Sequence, residues 1–304
     1  MQIYSEMRVP LLLVSSAMLA ACSIQQIAIN SLGGVLAEGN AVFESDNDPA
    51  FIAEALPFSL KLIDALLNEQ PDNQDLLLAA ASGYVFYSYA YLDIAAEELS
   101  LDDIDEARNL RARARNLFLR AHDYASRALQ ASYPGIRSAL LEDPELAVQT
   151  VTGSRSRDVE MLYWNAVSLS LAISSSRNDP RLLARMAEVE AQLDRALELD
   201  ESWSEGALHE LAVSAAELTN IDTAMVTGHY KRALDLSGGK RASVYISYAE
   251  STAVPQQDRN GFVDLLERAL AVDVERYPEL RLVNAVAQDR ATWLLDNIDE
   301  FFLE

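Results

Sequence analysis

Three observations predict an all-α protein made of helix pairs repeated in series. Only 11 glycines and 9 prolines occur among 304 residues, half of which are hydrophobic, and this composition is typical of helical chains. Apolar residues recur at helical spacing through most of the sequence. The triplet Arg-Ala-Leu occurs four times, at 127–129, 195–197, 232–234 and 268–270.

The spacing of these triplets indicates which kind of helical repeat to expect. Successive copies lie 68, 37 and 36 residues apart, and a tetratricopeptide repeat is about 34 residues long. Each copy falls at the end of an amphipathic run. The sequence therefore predicts a degenerate tetratricopeptide-like array, an α-solenoid, and the alternative is an irregular helical bundle in which the triplets recur by chance.

The stretch Leu193–Ala212 is typical of a junction between two such repeats. Its apolar positions follow a helical period up to about Leu199, and the polar residues from Asp200 interrupt that pattern. Serine oxygens are favourable helix caps, so we expect the next helix to begin near Ser202 or Ser204.

The N-terminus has the pattern of an export signal. An apolar segment that is too short to span a membrane ends in Leu19-Ala20-Ala21-Cys22. These four residues resemble the lipobox of bacterial lipoproteins. We therefore expect a lipoprotein signal peptide over 1–21 and lipid attachment at Cys22. The alternative is an ordinary signal peptide that happens to end in a cysteine. The residues 22–45 are interpreted as a lipidated tether and an N-terminal docking helix, and 46–304 as the repeat domain.

Aspartate-proline pairs and uncharged runs predict the first helices of this domain. Asp48-Pro49 supplies a cap and a first-turn proline, so a helix is expected from there to about Asn68. Pro71 is expected to begin the next helix, which contains the uncharged stretch 76–92. Because that helix is apolar on all sides, we expect it to be central and buried.

The rest of the chain continues the helical pattern with one irregular segment. Asp179-Pro180 is expected to start a helix that continues into the stretch Leu193–Ala212. Asp143-Pro144 is expected to start a short helix. The remaining predictions are helices over 101–133, 159–173, 221–236, 241–249, 258–272 and 279–303, with an irregular segment over 134–156.

Composition and spacing give no support for catalysis, a metal site or a cofactor. The net charge of −23 disfavours binding to nucleic acid, and a single cysteine excludes an internal disulfide. His209-Glu210 begins like a zinc-protease motif, but position 213 is Val where a second histidine is required. We therefore expect a protein that is not an enzyme.

Aromatic side chains are the candidates for a ligand groove, because they combine large apolar area with a polar tip. Each of them is also compatible with simple core packing. The candidate groove residues are Tyr84, Tyr87, Tyr91, Tyr163, Trp164, Trp203, His209 and Tyr248.

Several blocks, taken in order, carry a resemblance to a known family. They include Tyr163-Trp164-Asn165-Ala166, Gly206-Ala207-Leu208-His209-Glu210 and Gln288-Asp289-Arg290-Ala291. With these blocks the chain resembles the T-component lipoproteins (TatT) associated with tripartite ATP-independent periplasmic (TRAP) transporters.

The resemblance implies a lipid-anchored protein in the cell envelope that faces the periplasm from the outer membrane. It implies a role as an accessory component that docks the periplasmic solute-binding (P) subunit and binds or relays a small hydrophobic or organic-acid ligand through a groove or tunnel. It also implies a homotrimer. The alternative is an outer-membrane scaffold or assembly lipoprotein that binds a peptide or protein in an open groove.

Overall fold

The computed structural model describes residues 40–153, 156–219 and 221–303. Every regular element in these ranges is helical, which confirms the all-α prediction. The predicted signal peptide 1–21, the lipid attachment at Cys22 and the tether as far as residue 39 lie outside the described residues. No helix in the described part is both long and apolar enough to cross a membrane.

Fifteen α-helices occur in the described ranges. They are α1 (Asn40–Glu44), α2 (Pro49–Glu69), α3 (Gln74–Ser88), α4 (Ile94–Leu99), α5 (Ile104–Ser132), α6 (Ile136–Glu142), α7 (Pro144–Val148), α8 (Ser156–Ser174), α9 (Pro180–Leu183), α10 (Met186–Asp200), α11 (Ala207–Ser214), α12 (Thr223–Ser237), α13 (Ala242–Tyr248), α14 (Arg259–Leu270) and α15 (Arg281–Asp296).

Short segments of other helical types join some of these elements. Tyr89–Asp93 and Ala249–Ala253 wind as π-helix directly after α3 and α13. Trp203–Gly206, Pro278–Leu280 and Ile298–Glu300 are 3-10 turns.

Aspartate and asparagine caps explain where many helices begin. Asp48 accepts a hydrogen bond from the backbone nitrogen of Phe51 at 3.0 Å, and Pro49 follows in the first turn. Such a cap satisfies a backbone N–H group that has no partner within the helix. Asp143 plays the same part for α7, as the sequence predicts.

The third helix begins later than predicted. α3 starts at Gln74 rather than at Pro71, because the Asn73 side chain accepts hydrogen bonds from the backbone nitrogens of Asp75 and Leu76. Its apolar residues are largely buried, which confirms that this helix is central.

The helix predicted to run on from Asp179 is also divided. α9 ends at Leu183, and α10 begins at Met186. The intervening Arg185 has φ −89° and ψ 5°, outside the helical region. The Arg185 guanidinium donates hydrogen bonds to His122 on α5 and to Glu188 on α10. The tertiary contact with His122 therefore stabilises the interruption between the two helices.

The prediction of a helix start at Ser202 or Ser204 is wrong. α11 begins at Ala207, because Ser204 and Glu205 have φ of 46° and 54°. These left-handed backbone conformations cannot continue a right-handed helix.

The helices pack in a row that closes on itself. Consecutive long helices contact one another from α2 to α15, and α15 returns to contact α1 and α2. Leu282 and Val286 of α15 share a hydrophobic core with Ile52 of α2. Arg281 also donates to the backbone oxygen of Ser45 at 3.0 Å.

The four Arg-Ala-Leu triplets lie on four different helices of this row. They lie on α5, α10, α12 and α14. The central alanines are Ala128, Ala196, Ala233 and Ala269, and each of them is fully buried. At each of these helix contacts, the space at the triplet's central position is therefore filled by the methyl group of an alanine.

Candidate functional site

Two open cavities are lined by α8 and α15 at opposite ends of these helices. The first halves of α8 and α15 line one cavity together with α3, and their second halves line the other together with the π-helical segment that follows α3. α8 and α15 therefore run in the same direction between the cavities. We call the first the Trp203 cavity and the second the Arg290 cavity, after one lining residue of each.

The Trp203 cavity has a volume of 620 Å³ and aromatic walls. Trp164 and Trp203 line it together with Phe86 and the aliphatic Leu282. Tyr163 contacts both tryptophans, with ring centroids 5.0 Å from Trp164 and 4.8 Å from Trp203. A cavity of this size and character is suited to a small ligand.

The turn that carries Trp203 is held by several contacts across elements. Arg241 donates to the backbone oxygen of Ser204 at 3.0 Å, and Lys240 pairs with Glu205 at 2.6 Å. The indole nitrogen of Trp203 donates to the Ser156 hydroxyl at 3.2 Å. Left-handed non-glycine residues cost free energy and are concentrated at functional sites.

Three carboxylates, those of Glu44, Asp75 and Glu160, also line the Trp203 cavity. Burial raises the pKa of Glu44 and of Glu160, and nearby arginines partly offset the rise. Arg157 binds Asp75 across the same wall. The cavity is therefore lined by both aromatic and charged side chains.

The Arg290 cavity is larger and more polar than the Trp203 cavity. Its volume is 950 Å³. Five arginines line it, although the chain as a whole is strongly acidic. Serine hydroxyls also line the wall, from Ser174, Ser175, Ser176, Ser214, Ser247 and Ser251 among others.

Both π-helical segments contribute to the Arg290 cavity. Tyr89 and Asp93 come from the first, and Glu250 and Ser251 from the second. A π turn inserts one residue into a helix and is frequent at functional sites. Here the two turns present acidic and hydroxyl groups around the guanidinium of Arg290.

Arg290 is 4% exposed and is the charged centre of this cavity. Its Nη2 atom lies 2.6 Å from Glu97 and 2.7 Å from Glu250, and its guanidinium carbon lies 4.9 Å from the Trp293 ring centroid. Burial alone lowers the pKa of Arg290, but the two glutamates outweigh it and raise that pKa. Burial raises the pKa of Glu250, against the effect of Arg290.

Asp93 and Tyr89 also have shifted pKa values in this cavity. Burial raises the pKa of Asp93 to about 6, while Arg111 and a hydrogen bond from Ser175 oppose the rise. Burial and the charge of Glu250 raise the pKa of the Tyr89 hydroxyl. Tyr89 is nevertheless 39% exposed, because its ring borders the open cavity.

Of the eight predicted groove residues, the structure places Trp164 and Trp203 in a cavity wall and Tyr163 in contact with both. The other five lie outside the cavity linings. Tyr87 of α3 and Tyr91 of the π-helical segment that follows pack on each other with ring centroids 5.8 Å apart.

Tyr84 lies between helices rather than in a groove. Its hydroxyl donates to Asp64 at 2.8 Å, and Tyr124 donates to the same carboxylate at 2.6 Å. Arg120 donates to the Tyr84 hydroxyl at 3.2 Å. This cluster joins α2, α3 and α5.

His209 and Tyr248 lie at the interfaces of α12. Nδ1 of His209 lies 2.8 Å from Nδ1 of His229, and burial lowers the pKa of both imidazoles. Tyr248 stacks on Tyr230 with centroids 4.0 Å apart. Among the residues that the structure describes, no group of three or more His, Cys, Asp or Glu side chains could hold a metal ion.

The sequence analysis does not single out the residues of the Arg290 cavity as a site. Arg290 appears there only within the block Gln288-Asp289-Arg290-Ala291 of the family resemblance. An arginine at a helix position that packing buries is the signal that could have singled it out.

The fold and the cavities define an all-helical protein with two ligand-sized cavities and a closed row of helices. The model of the family described as TRAP transporter T-component matches residues 45–302, and the chain belongs to that family. It is also 29% identical to an uncharacterized protein of Treponema pallidum (strain Nichols), over 95% of this chain and 96% of the relative. Family membership makes it an accessory component of a TRAP transporter, associated with other transport subunits in the cell envelope.

Proposed function

We propose that this protein docks a periplasmic solute-binding (P) subunit and binds or relays a small organic or hydrophobic ligand through its cavities. The observation that carries the proposal is the T-component match across residues 45–302. The protein acts in this proposal as a binding component and not as an enzyme.

The Trp203 cavity supports the ligand part of the proposal. Two tryptophans and a phenylalanine frame 620 Å³ of open volume, and aromatic side chains contribute large contact areas at little entropic cost. The fixed backbone around Ser204 positions Trp203 before any ligand arrives.

The closure of the helix row favours this function over a peptide-binding scaffold. An open groove would leave α15 apart from the first helices, whereas α15 contacts α1 and α2. The two cavities at opposite ends of α8 and α15 are consistent with entry at one end and exit at the other.

The proposal includes the finer features that the family resemblance implies. Helix pairs form degenerate tetratricopeptide-like repeats, and lipid on Cys22 anchors the protein in the outer membrane, facing the periplasm. Three acyl chains on that residue would hold it firmly, since each buried methylene contributes about 0.8 kcal/mol. The assembled form is a homotrimer.

The experiment is affinity capture of the tagged full-length chain from envelope extracts, followed by native mass spectrometry. We expect co-recovery of a solute-binding protein, a trimeric mass and a bound small molecule. Trp203→Ala should reduce the fraction carrying that molecule, because it removes one of the two tryptophans that line the cavity.

Met225→Ala is the matched control, since Met225 is an exposed apolar residue on α12 outside both cavities. It should retain partner and ligand. Recovery of an outer-membrane assembly protein in place of a solute-binding protein would favour the scaffold alternative.

A further inference from the structure

The walls of the Trp203 cavity carry more negative than positive charge. Among the described residues, the carboxylates of Glu44, Asp75 and Glu160 line it against the one guanidinium of Arg157. That guanidinium is already shared, because it pairs with Asp75 and lies 3.8 Å from Glu160. A ligand in this cavity therefore meets carboxylates in excess of the basic groups in its lining.

The protein's own basic groups balance the charge of Glu44 only weakly. Arg241 is the basic side chain that acts on Glu44, but its guanidinium also donates to the backbone oxygen and the hydroxyl of Ser204, at 3.0 Å and 3.2 Å. Burial raises the pKa of Glu44 and outweighs the opposing effect of Arg241. A cation bound in the cavity would stabilise the charged form of this carboxylate.

The aromatic rings of this cavity differ from other rings of the protein in the cations around them. Arginine or lysine side chains lie over the rings of Tyr84, Tyr124, Tyr277 and Trp293. Within the described part of the chain, none of these cation–π contacts involves a ring that lines the Trp203 cavity. Indole has the ring face that attracts a cation most strongly, and two indoles line this cavity.

The rest of the lining favours an alkylated ammonium ion over a metal ion or a primary amine. In the described ranges, no group of three or more His, Cys, Asp or Glu side chains could hold a metal ion. A primary ammonium has three N–H donors that need acceptors, whereas a quaternary ammonium has none and presents alkyl groups instead. Leu56, Leu78 and Leu282 supply aliphatic surface for such groups.

We propose that the Trp203 cavity binds a small organic cation of the quaternary ammonium class. The ammonium group contacts the indoles of Trp164 and Trp203, and the carboxylates of Glu44 and Glu160 balance its charge. The net charge of −23 on the chain attracts such a ligand and repels an organic anion. Binding of this kind rests on the proposed function, in which this cavity holds the ligand.

The test is calorimetric titration of the purified full-length chain with choline and with two analogues of similar shape. In dimethylbutanol, a neutral carbon atom replaces the charged nitrogen of choline. Dimethylbutanoate has the same tert-butyl group but carries a negative charge. We expect choline to bind with a Kd of about 1 mM or lower, and each analogue to bind at least about tenfold more weakly.

Neutral variants of the carboxylates test whether choline binds in this cavity. Glu44→Gln and Glu160→Gln should each weaken choline binding by about three- to tenfold and leave the binding of dimethylbutanol unchanged. Glu54→Gln is the matched control, because Glu54 is exposed on α2 and does not line the cavity. It changes the net charge of the chain by the same amount, yet it should bind choline as the wild type does, since salt screens a distant exposed charge.

Trp203→Leu separates the attraction of the indole for a cation from simple packing. Leucine keeps apolar contact but has no aromatic face, so the affinity for choline should fall by about tenfold, and the affinity for dimethylbutanol should fall less. Trp203→Phe retains a ring and should bind choline more tightly than Trp203→Leu. Thermal unfolding of both variants shows whether they fold, and the glutamate variants test the proposal independently of this turn.

The proposal is overturned if choline does not bind at about 10 mM, or if either analogue binds as tightly as choline. Equal effects of Glu44→Gln and Glu54→Gln would also overturn it. Because the titration uses the protein alone, its failure is separate from a failure to capture a solute-binding protein. A bound molecule of another class in native mass spectra would leave the proposed function standing without this ligand.

Discussion

Arg185 donates a hydrogen bond from Nη2 to Nε2 of His122 over 2.8 Å. A guanidinium can only donate, so Nε2 of His122 carries no proton. The proton is therefore on Nδ1, which donates to the backbone oxygen of Asn165 at 3.2 Å. The imidazole is neutral and joins α5 and α8 to the break before α10. Burial and the charge of Arg185 lower the pKa of His122 to about 3.

This neutral histidine should make the protein sensitive to acid. Below the ordinary histidine pKa of 6.5, His122 is protonated in the unfolded chain but stays neutral in the folded chain. The free energy of unfolding therefore falls as the pH drops. In the variant His122→Gln, the amide oxygen can accept the hydrogen bond from Arg185. Between about pH 6.5 and 4.5, we expect the free energy of unfolding to fall by about 2–3 kcal/mol less in this variant than in the wild type. Urea unfolding over that range measures the difference, and parallel stability curves for the two proteins would contradict the prediction.

Asp93 should have the opposite effect on the pH dependence. Burial raises the pKa of Asp93 from 3.8 to about 6, so between these values the folded chain holds a proton that the unfolded chain releases. Its contribution to stability is therefore present at low pH and lost as the pH rises through about 6. We expect Asp93→Asn to stabilise the protein at about pH 7.5 by up to about 3 kcal/mol, and by nothing near pH 4.

The control for Asp93 is Asp105→Asn on α5. The Asp105 side chain is 89% exposed and pairs with Arg108, and such surface pairs contribute about 0–1 kcal/mol. Chemical denaturation of the two variants at both pH values measures the effect. An equal change in the two variants would show that Asp93 is not desolvated.

Tyr84 and Tyr124 should contribute to stability rather than to ligand binding. Both hydroxyls donate to the carboxylate of Asp64, which also accepts from Lys61 at 2.6 Å. We expect Tyr84→Phe and Tyr124→Phe each to cost about 1–2 kcal/mol, and the double variant to be non-additive, because they share one acceptor. Ligand occupancy by native mass spectrometry should stay at the wild-type level. A loss of ligand in Tyr84→Phe would show that Tyr84 contributes to ligand binding, as the sequence analysis expects of a groove residue.

Gly206 should be intolerant of any side chain. It has φ 92°, and a Cβ atom there would lie 3.1 Å from the Cα atom of Ala233, the buried alanine of the third Arg-Ala-Leu triplet. We expect Gly206→Ala to cost about 2 kcal/mol or more, from the left-handed backbone and the crowding together. Thermal or urea unfolding gives the value.

Gly228 is the matched control, because it lies within α12 with open space around its Cα atom. There alanine should stabilise the protein by about 0.5–1 kcal/mol, as expected for a helix interior. If both substitutions destabilise equally, the close approach of α11 and α12 is not what requires glycine at 206.

Local chemistry explains why much of the helix content could be predicted. The starts of α2 and α7 follow from an aspartate that bonds a backbone N–H three residues on, next to a proline. The wrong boundaries have tertiary causes. Arg185 is drawn out of helical geometry by bonds to two helices, and Ser204 is held in a left-handed conformation that Arg241 stabilises.

The candidate site could be predicted only in part. The two tryptophans of the Trp203 cavity were identified because large aromatic side chains suit ligand contact. The Arg290 cavity has no such sequence signal, since Tyr89, Glu250 and Arg290 are far apart in the chain and come together only when the helix row closes. The π turns that place Tyr89 and Glu250 also leave no local pattern.

The sequence by itself determined the all-α class, most helix starts and the family blocks, because caps, periodicity and motifs act over a few residues. Only the tertiary structure decided where the row of helices closes and which side chains face a cavity. These depend on contacts between residues up to 236 positions apart, such as Arg281 with Ser45. Packing of that range is a property of the whole chain, and no local pattern encodes it.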